Sequence, residues 1–192
     1  MEAQVSSVCS TAFLHLREIS EIRDALDNET AKLMVQSLVI SRLNYCNSLL
    51  FGLTSTQLDR LQRVQNAAAK VVARTERLDH ATPVRQELHW LPVVYRIQFK
   101  ILKLTYCALH GLAPQYIAEM LVPYIPTRML RTSDKQLLVV PRSRLRSYGD
   151  RSFAWAAPTL WNNLPLTIRS SENIASFSKS LKTHLFIQAY NL

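Results

Sequence analysis

Arg142, Arg144 and Arg146 follow Pro141 at alternate positions, separated by Ser143, Leu145 and Ser147. If this piece is extended, a period of two puts all three guanidinium groups on one face. Three arginines so placed match successive phosphates of a nucleic-acid strand lying alongside. The same pattern suits an edge strand protected by charge against self-pairing. A second basic series, Arg60, Arg63, Lys70, Arg74 and Arg77, precedes it in the chain. At roughly 100° per residue these fall within a sector of about 100° nearly opposite Leu58, Leu61, Ala68 and Val72. This describes a basic amphipathic helix. A solvated outer face with no partner is the plain alternative.

Catalytic constellations are harder to assemble. Holding two metal ions about 4 Å apart takes paired acidic side chains, and no Asp-Asp pair occurs. Tyr148-Gly149-Asp150 has one carboxylate between Arg146 and Arg151, which repel a metal, and reads as a turn. Cys107 and His110 are spaced like two ligands on one helix face but lack a second pair, so a core cysteine beside a helix-end histidine is the better reading. His80 and His89, with Asp79 and Glu87, form the nearest approach to an acid/base cluster, and nothing nearby supplies an oxyanion site. With no G-x-S-x-G and only 3 glycines, neither a nucleophile elbow nor a phosphate loop is present. The expectation is a binding piece with no catalytic residue, metal or cofactor.

Composition points the same way. Of 192 residues 48% are hydrophobic and 19% charged, which is the composition of a folded protein. The net charge of +9 favours nucleic acid or another anionic surface as partner. Residues 1–96 hold 11 basic and 10 acidic side chains, whereas 97–192 hold 12 and 4, so the second half carries the excess. Cys9, Cys46 and Cys107 are odd in number and widely spaced, which fits a reducing compartment, and no run reaches membrane-span length. These features lead us to expect an intracellular protein, cytoplasmic or nuclear, with no membrane partner.

Helical periods dominate the elements that must position these residues. Asp27 and Asn28 can cap a helix from about Glu29 to Leu50, with Leu33, Leu38, Leu43, Cys46 and Leu49 or Leu50 on its apolar side. Thr54 and Gln57 match a capping box ahead of a second helix reaching about Arg77. Pro92 suits the first turn of a third, Val93 to His110, which is apolar over most of its circumference and closed by Gly111. Pro114 opens a short fourth, ending near Val122. Beyond Pro123 the texture turns Pro- and Arg-rich, with Leu137 to Val140 reading as a short strand. Helix returns from Phe153 to Trp161, interrupted by Pro158, and then in a run capped by Ser170 or Ser171 with Ile174, Phe177, Leu181 and Leu185 on one side. Trp155 and Trp161 read as core.

Several blocks in register carry a resemblance. Ser41 to Leu50 (SRLNYCNSLL), Leu58 to Ala69 (LDRLQRVQNAAA), Leu88 to Val93 (LHWLPV), Arg96 to Leu102 (RIQFKIL), Leu109 to Pro114 (LHGLAP), Ala157 to Pro165 (APTLWNNLP) and Leu181 to Phe186 (LKTHLF) resemble the C-terminal region of the reverse transcriptase of LINE-type (non-LTR) retrotransposons, in the jockey-like group. The similarity covers roughly residues 5–187. It implies a parent RNA-directed DNA polymerase with an endonuclease, and a chain that begins after the polymerase palm and lacks the catalytic carboxylates. The fold implied is mainly α: a thumb-like helical region over residues 1–122, a basic Pro/Arg-rich segment over 123–150 able to form a short β-hairpin, and a C-terminal helical extension over 151–192. The function implied is non-specific, salt-sensitive gripping of RNA or an RNA–DNA hybrid. Arg60, Arg63, Lys70, Arg74, Arg142, Arg144 and Arg146 are the candidate contacts, chosen by spacing. The rival readings are a helical protein-interaction module, pairing with an intact reverse transcriptase, and a mobile-element relic without function.

Overall fold

The computed structural model describes residues 1–76, 78–126, 136–142 and 149–192. The protein is mainly helical, in two compact units: Met1–Arg96 with Ala189–Leu192, and Ile97–Gln188. Both segment boundaries expected from texture, after residues 122 and 150, fall inside the second unit.

The first unit opens with α1, Glu2–Glu21, ahead of any element expected above. Its buried residues Val5, Cys9, Ala12, Leu16 and Ile19 alternate spacings of four and three, which keeps them on one stripe of the helix. That stripe packs mainly on α4, Ser55–Ala73. Helix α4 buries Leu61, Val64, Gln65, Ala68, Ala69 and Val72, close to the face expected, and Leu58 is half-buried.

Between them, the single helix expected from Glu29 to Leu50 is three elements. Asp27 caps α2, Asn28–Val35, accepting from the Thr30 amide at 2.6 Å. A π-helical segment, Gln36–Ile40, follows, and α3, Ser41–Asn44, ends six residues before Leu50. Cys46 then reverses the chain with φ 49° and leads into the 3-10 turn Asn47–Leu50. The expected apolar face is therefore wrong: Leu33, Leu38, Cys46 and Leu49 are exposed, and Ala31, Val35, Val39 and Leu43 are buried. Spacings of four drift around an ideal α-helix, and the wider π turn takes up the drift. Ser37 donates to the Leu33 carbonyl and Ser41 to that of Ser37, back-bonds that loosen this stretch.

The C-terminus of α4 shows the physics of the unit most plainly. Its last carbonyls need donors. Arg23, which is 6% exposed, supplies them: Nε donates to Val71 O and Nη2 to Val72 O, both at 2.8 Å. The same guanidinium holds Leu26 O at 2.9 Å and Asn28 Oδ1 at 2.6 Å. Arg74 adopts φ 55° and ends α4 short of the expected Arg77, with the Thr75 amide returning to Lys70 O. Its guanidinium donates to the Arg23 and Leu26 carbonyls. Helix α5, Ala81–Glu87, packs against α4.

Helix α6, Val93–Leu109, begins in the first unit and continues into the second, where Ile97, Ile101, Leu102, Thr105, Tyr106 and Ala108 are buried. Gly111, at φ 68°, closes it, with the Leu112 amide bonded to Cys107 O. Helix α7, Gln115–Ala118, stops earlier than expected. Leu138 pairs with Pro123 in one antiparallel bridge, and no strand occurs among the described residues. Helix α8, Phe153–Asn162, runs through Pro158 without interruption and buries Trp161, while Trp155 is half-buried. After α9, Leu166–Arg169, helix α10 spans Ile174–Tyr190 and buries Phe177, Leu181 and Leu185. Its cap is Asn173, whose Oδ1 accepts from the Ser176 amide at 2.8 Å, instead of Ser170 or Ser171.

Tyr106 and Phe177 stack at 4.3 Å between centroids, Phe177 meets Trp161 at 5.9 Å, and the Tyr106 hydroxyl donates to Ser171 O. Two side chains of α8 fix the 136–138 stretch. Trp161 Nε1 donates to Gln136 O, and the Asn162 amide brackets Leu138, accepting from its N–H at 2.9 Å and donating to its carbonyl at 2.8 Å.

Two outcomes follow. Arg23→Met leaves two helix-end carbonyls without their donor and costs about 3 kcal/mol in denaturant unfolding; Arg23→Lys, unable to span four acceptors, recovers little. Burial holds the His184 imidazole below its usual 6.5. The unfolded chain then binds the proton at higher pH than the folded one, so stability is lost as pH falls below about 6.5. Comparing wild type with His184→Gln by urea titration from pH 7 to pH 5 should show a shallower decline in the variant.

Candidate nucleic-acid interface

Four of the candidate contacts lie on or beside α4, and the structure treats them differently. Arg60 is half-buried and donates to Ser6 Oγ of α1 at 3.0 Å, so its position along the helix is set by packing. Arg63 is exposed, with no hydrogen bond or ion pair to any described residue. Lys70 and Arg74 line an open cleft of about 520 Å³ with Ser20, Arg23, Asp24 and Thr75. Much of the charge there is already engaged, since Arg74 and Arg23 donate to backbone carbonyls. A helix C-terminus also carries partial negative charge, which these cations offset. The sector described above as one basic face thus divides into Arg63, pointing to solvent, and a C-terminal group tied into the fold. Arg77 lies outside the described residues.

In the second unit Arg142 is exposed. Arg144 and Arg146 lie outside the described residues, as do Arg128, Arg131, Lys135 and Tyr148, so the alternating series is represented by its first member.

Three further arginines are nearly closed off: Arg23, Arg85 and Arg169 are 6%, 8% and 5% exposed. Burial lowers the pKa of Arg23 and of Arg169. The ion pairs among the described residues, His15 with Glu18, Arg17 with Glu21 and Lys32 with Glu29, involve none of them. Arg23 is solvated by carbonyl and amide oxygens, and Arg85 donates to the Asn66 amide oxygen and the Thr82 hydroxyl. Sequence spacing does not distinguish them from surface arginines, because each sits outside a basic run.

A polar layer in the first unit links four separated sequence blocks. From α4, Gln62 Oε1 accepts from the Val93 amide at 2.9 Å, occupying one of the free donors at the start of α6. Gln62 Nε2 donates to Gln65 Oε1 and Asn66 Oδ1. Gln65, fully buried, donates to Leu91 O, and Arg85 donates to Asn66 Oδ1. Arg96 joins the same carbonyl, Leu91 O, at 2.7 Å, reaches Asn44 Oδ1 at 3.2 Å and lies 5.9 Å above the Trp90 ring. Burial pushes the Arg96 guanidinium down to about 10, against the opposing influence of Tyr190. Tyr190 in turn donates to Trp90 O at 2.6 Å; burial raises its pKa, and Arg85 and Arg96 draw it back. No family model, curated protein or solved structure matches the chain. The reading of this site therefore rests on its own geometry and on the blocks of sequence themselves.

The histidines and cysteines have local explanations. His110 is exposed and stacks on Tyr106 at 3.9 Å between centroids, with Nδ1 2.9 Å from Tyr106 O. Cys107 is half-buried, and Cys9 is buried with its thiol pKa raised by desolvation. Asp79 accepts from the Glu76 amide, and His80 precedes α5. No group of three metal-ligating side chains occurs among the described residues, and no helix among them is long and apolar enough to cross a membrane.

The division of the basic sector has a measurable consequence. Arg74→Ala removes two charge-assisted bonds and leaves alanine in a left-handed conformation, costing about 2 kcal/mol. Arg63→Ala changes stability by less than about 0.5 kcal/mol. Thermal unfolding of the two variants should place them at opposite ends of this range.

Proposed function

We propose that the chain corresponds to the region downstream of the palm in a LINE-type reverse transcriptase, and that it holds RNA or an RNA–DNA hybrid by backbone charge, without catalysis of its own. The observation carrying this reading is the polar layer. Asn44, the Gln62-Gln65-Asn66 triplet, Trp90-Leu91 and Arg96 belong to four of the blocks on which the resemblance rests, and they meet in one hydrogen-bonded network. A shared hydrogen-bonding task ties these blocks of the sequence together. The thumb-like character of the helical first part belongs to this proposal as well.

Each unit carries its own candidate contacts. Arg63 and Arg142 are exposed, and Lys70 lines the cleft beside α4. The +9 net charge with few local ion pairs supplies a field that attracts phosphate at long range. Arg60 and Arg74 contribute field while doing structural work. Their engagement within the fold, with the exposed Tyr45 and Leu49, favours the rival reading of a protein-interaction module.

Binding to an RNA–DNA hybrid should fall linearly in log K against log salt, and Arg63→Ala and Arg142→Ala should each lower the slope by about 0.9 at unchanged stability. A slope near zero, or one untouched by either substitution, rejects the nucleic-acid reading. A salt-resistant complex with an intact reverse transcriptase, together with weak hybrid binding, supports the interaction module.

A further inference from the structure

An apolar cavity of about 230 Å³ opens in the first unit, away from the basic residues of α4's C-terminus. Its floor is built by buried side chains from three helices, Val5 of α1, Leu43 of α3 and Leu61 of α4. Its mouth is made by the reversal at Cys46, whose left-handed backbone turns the chain from α3 into the 3-10 turn and sets Leu49 and Cys46 at the rim. A fold that had optimised packing alone would have filled this space, since a void lined by aliphatic groups forfeits contacts on every wall.

One charged side chain lines the cavity. Arg42 is exposed, one residue before the Leu43 floor position, and forms no hydrogen bond or ion pair with any described residue. Arg23 and Arg96, by contrast, donate to protein oxygens. An apolar pocket with an exposed guanidinium and the Met1 end of the chain in its lining is complementary to a molecule with an apolar tail and a planar anionic head. A carboxylate fits the guanidinium fork with two parallel bonds.

We infer that the first unit binds a medium-chain fatty carboxylate, its alkyl chain in the cavity beneath Cys46 and its head group on Arg42. This site is independent of the nucleic-acid reading, and neither stands or falls with the other.

Calorimetric titration of the full chain with hexanoate, heptanoate, octanoate and decanoate tests it. Each methylene that enters the cavity tightens binding about fourfold, so affinity should climb with chain length and level off once further methylenes lie outside it. Arg42→Ala should weaken octanoate binding about tenfold, and octylammonium should bind far more weakly than octanoate. The exposed Cys46 thiol gives a site-specific readout: octanoate should slow its alkylation by iodoacetamide and leave that of Cys107 unchanged. Val8, half-buried in the cavity wall, provides a blocking variant. Val8→Trp should abolish uptake, with its helical circular dichroism and melting checked first. Absence of chain-length dependence, equal binding of octylammonium, unchanged affinity in Arg42→Ala, or unprotected Cys46 would each overturn the assignment, whether or not Val8→Trp folds.

Discussion

The first unit depends on Arg23. Helix α4 is the element against which α1, α2 and α5 pack, and its C-terminal carbonyls Val71 O and Val72 O are bonded by Arg23. A buried carbonyl without a donor costs of order 1–3 kcal/mol, so the end of α4 needs donors from elsewhere in the chain. Arg23 reaches it from the turn after α1 and, through Leu26 and Asn28, fixes the start of α2 with the same guanidinium. One planar group with donors in a rigid fork thereby orients three helices. A lysine, with a single ammonium, has no equivalent geometry. Asp24 and Asp27 act on the Arg23 guanidinium electrostatically, while its hydrogen bonds go to carbonyl and amide oxygens. Desolvation lowers the pKa of Arg23, and arginine, whose guanidinium stays protonated in proteins, is the residue suited to this role.

What was legible in the sequence follows from the same physics. Helix α6 could be read to within a residue, because its apolar series is long and Gly111 marks its end with a backbone conformation that suits glycine. The face of α4 was legible for the same reason. Helix α1 has an equally regular stripe, but Phe13 and Leu14, exposed at 45% and 55%, place large apolar groups off it and blur the pattern. The break in the long helix expected after Asp27 was not legible: a π segment has no local signature, and spacings of four read as an imperfect α-helix. As for the candidate site, Arg63 was found correctly as an exposed cation, whereas Arg60 and Arg74 were indistinguishable from it. Helical phase predicts direction and cannot predict that a carbonyl or hydroxyl from another element waits at the end of the side chain.

The polar layer inverts the usual relation between motif and chemistry. Gln62, Gln65, Asn66 and Arg96 are residue types found in active sites, yet here their hydrogen bonds go to backbone groups, to one another, or to Asn44 and Arg85. Leu91 O accepts from both Gln65 and Arg96, and the Val93 amide is taken by Gln62, so the short link between α5 and α6 is held by side chains at both of its polar ends. A buried network of this kind specifies one arrangement, since any slip of α4 by a residue would strand several donors at once.

Scarcity of glycine gives the turns the same character. Among the described residues, Cys46, Arg74, His89 and Gln136 take positive φ within the chain, where glycine would do so without strain. Each such residue costs about 1 kcal/mol or more. At three of them a compensating bond is visible: Arg74 donates to Arg23 O and Leu26 O, the amide after His89 returns to Arg85 O, and the carbonyl of Gln136 is held by Trp161. The bond to Gln136 spans 25 residues and those of Arg74 about 50. The turns at Arg74 and Gln136 are therefore not local structures awaiting assembly; they are stable only once the partner element is in place. Turn formation and packing must then be coupled, and a loss of Arg23 or Trp161 should propagate as the opening of a chain reversal as well as the loss of a contact.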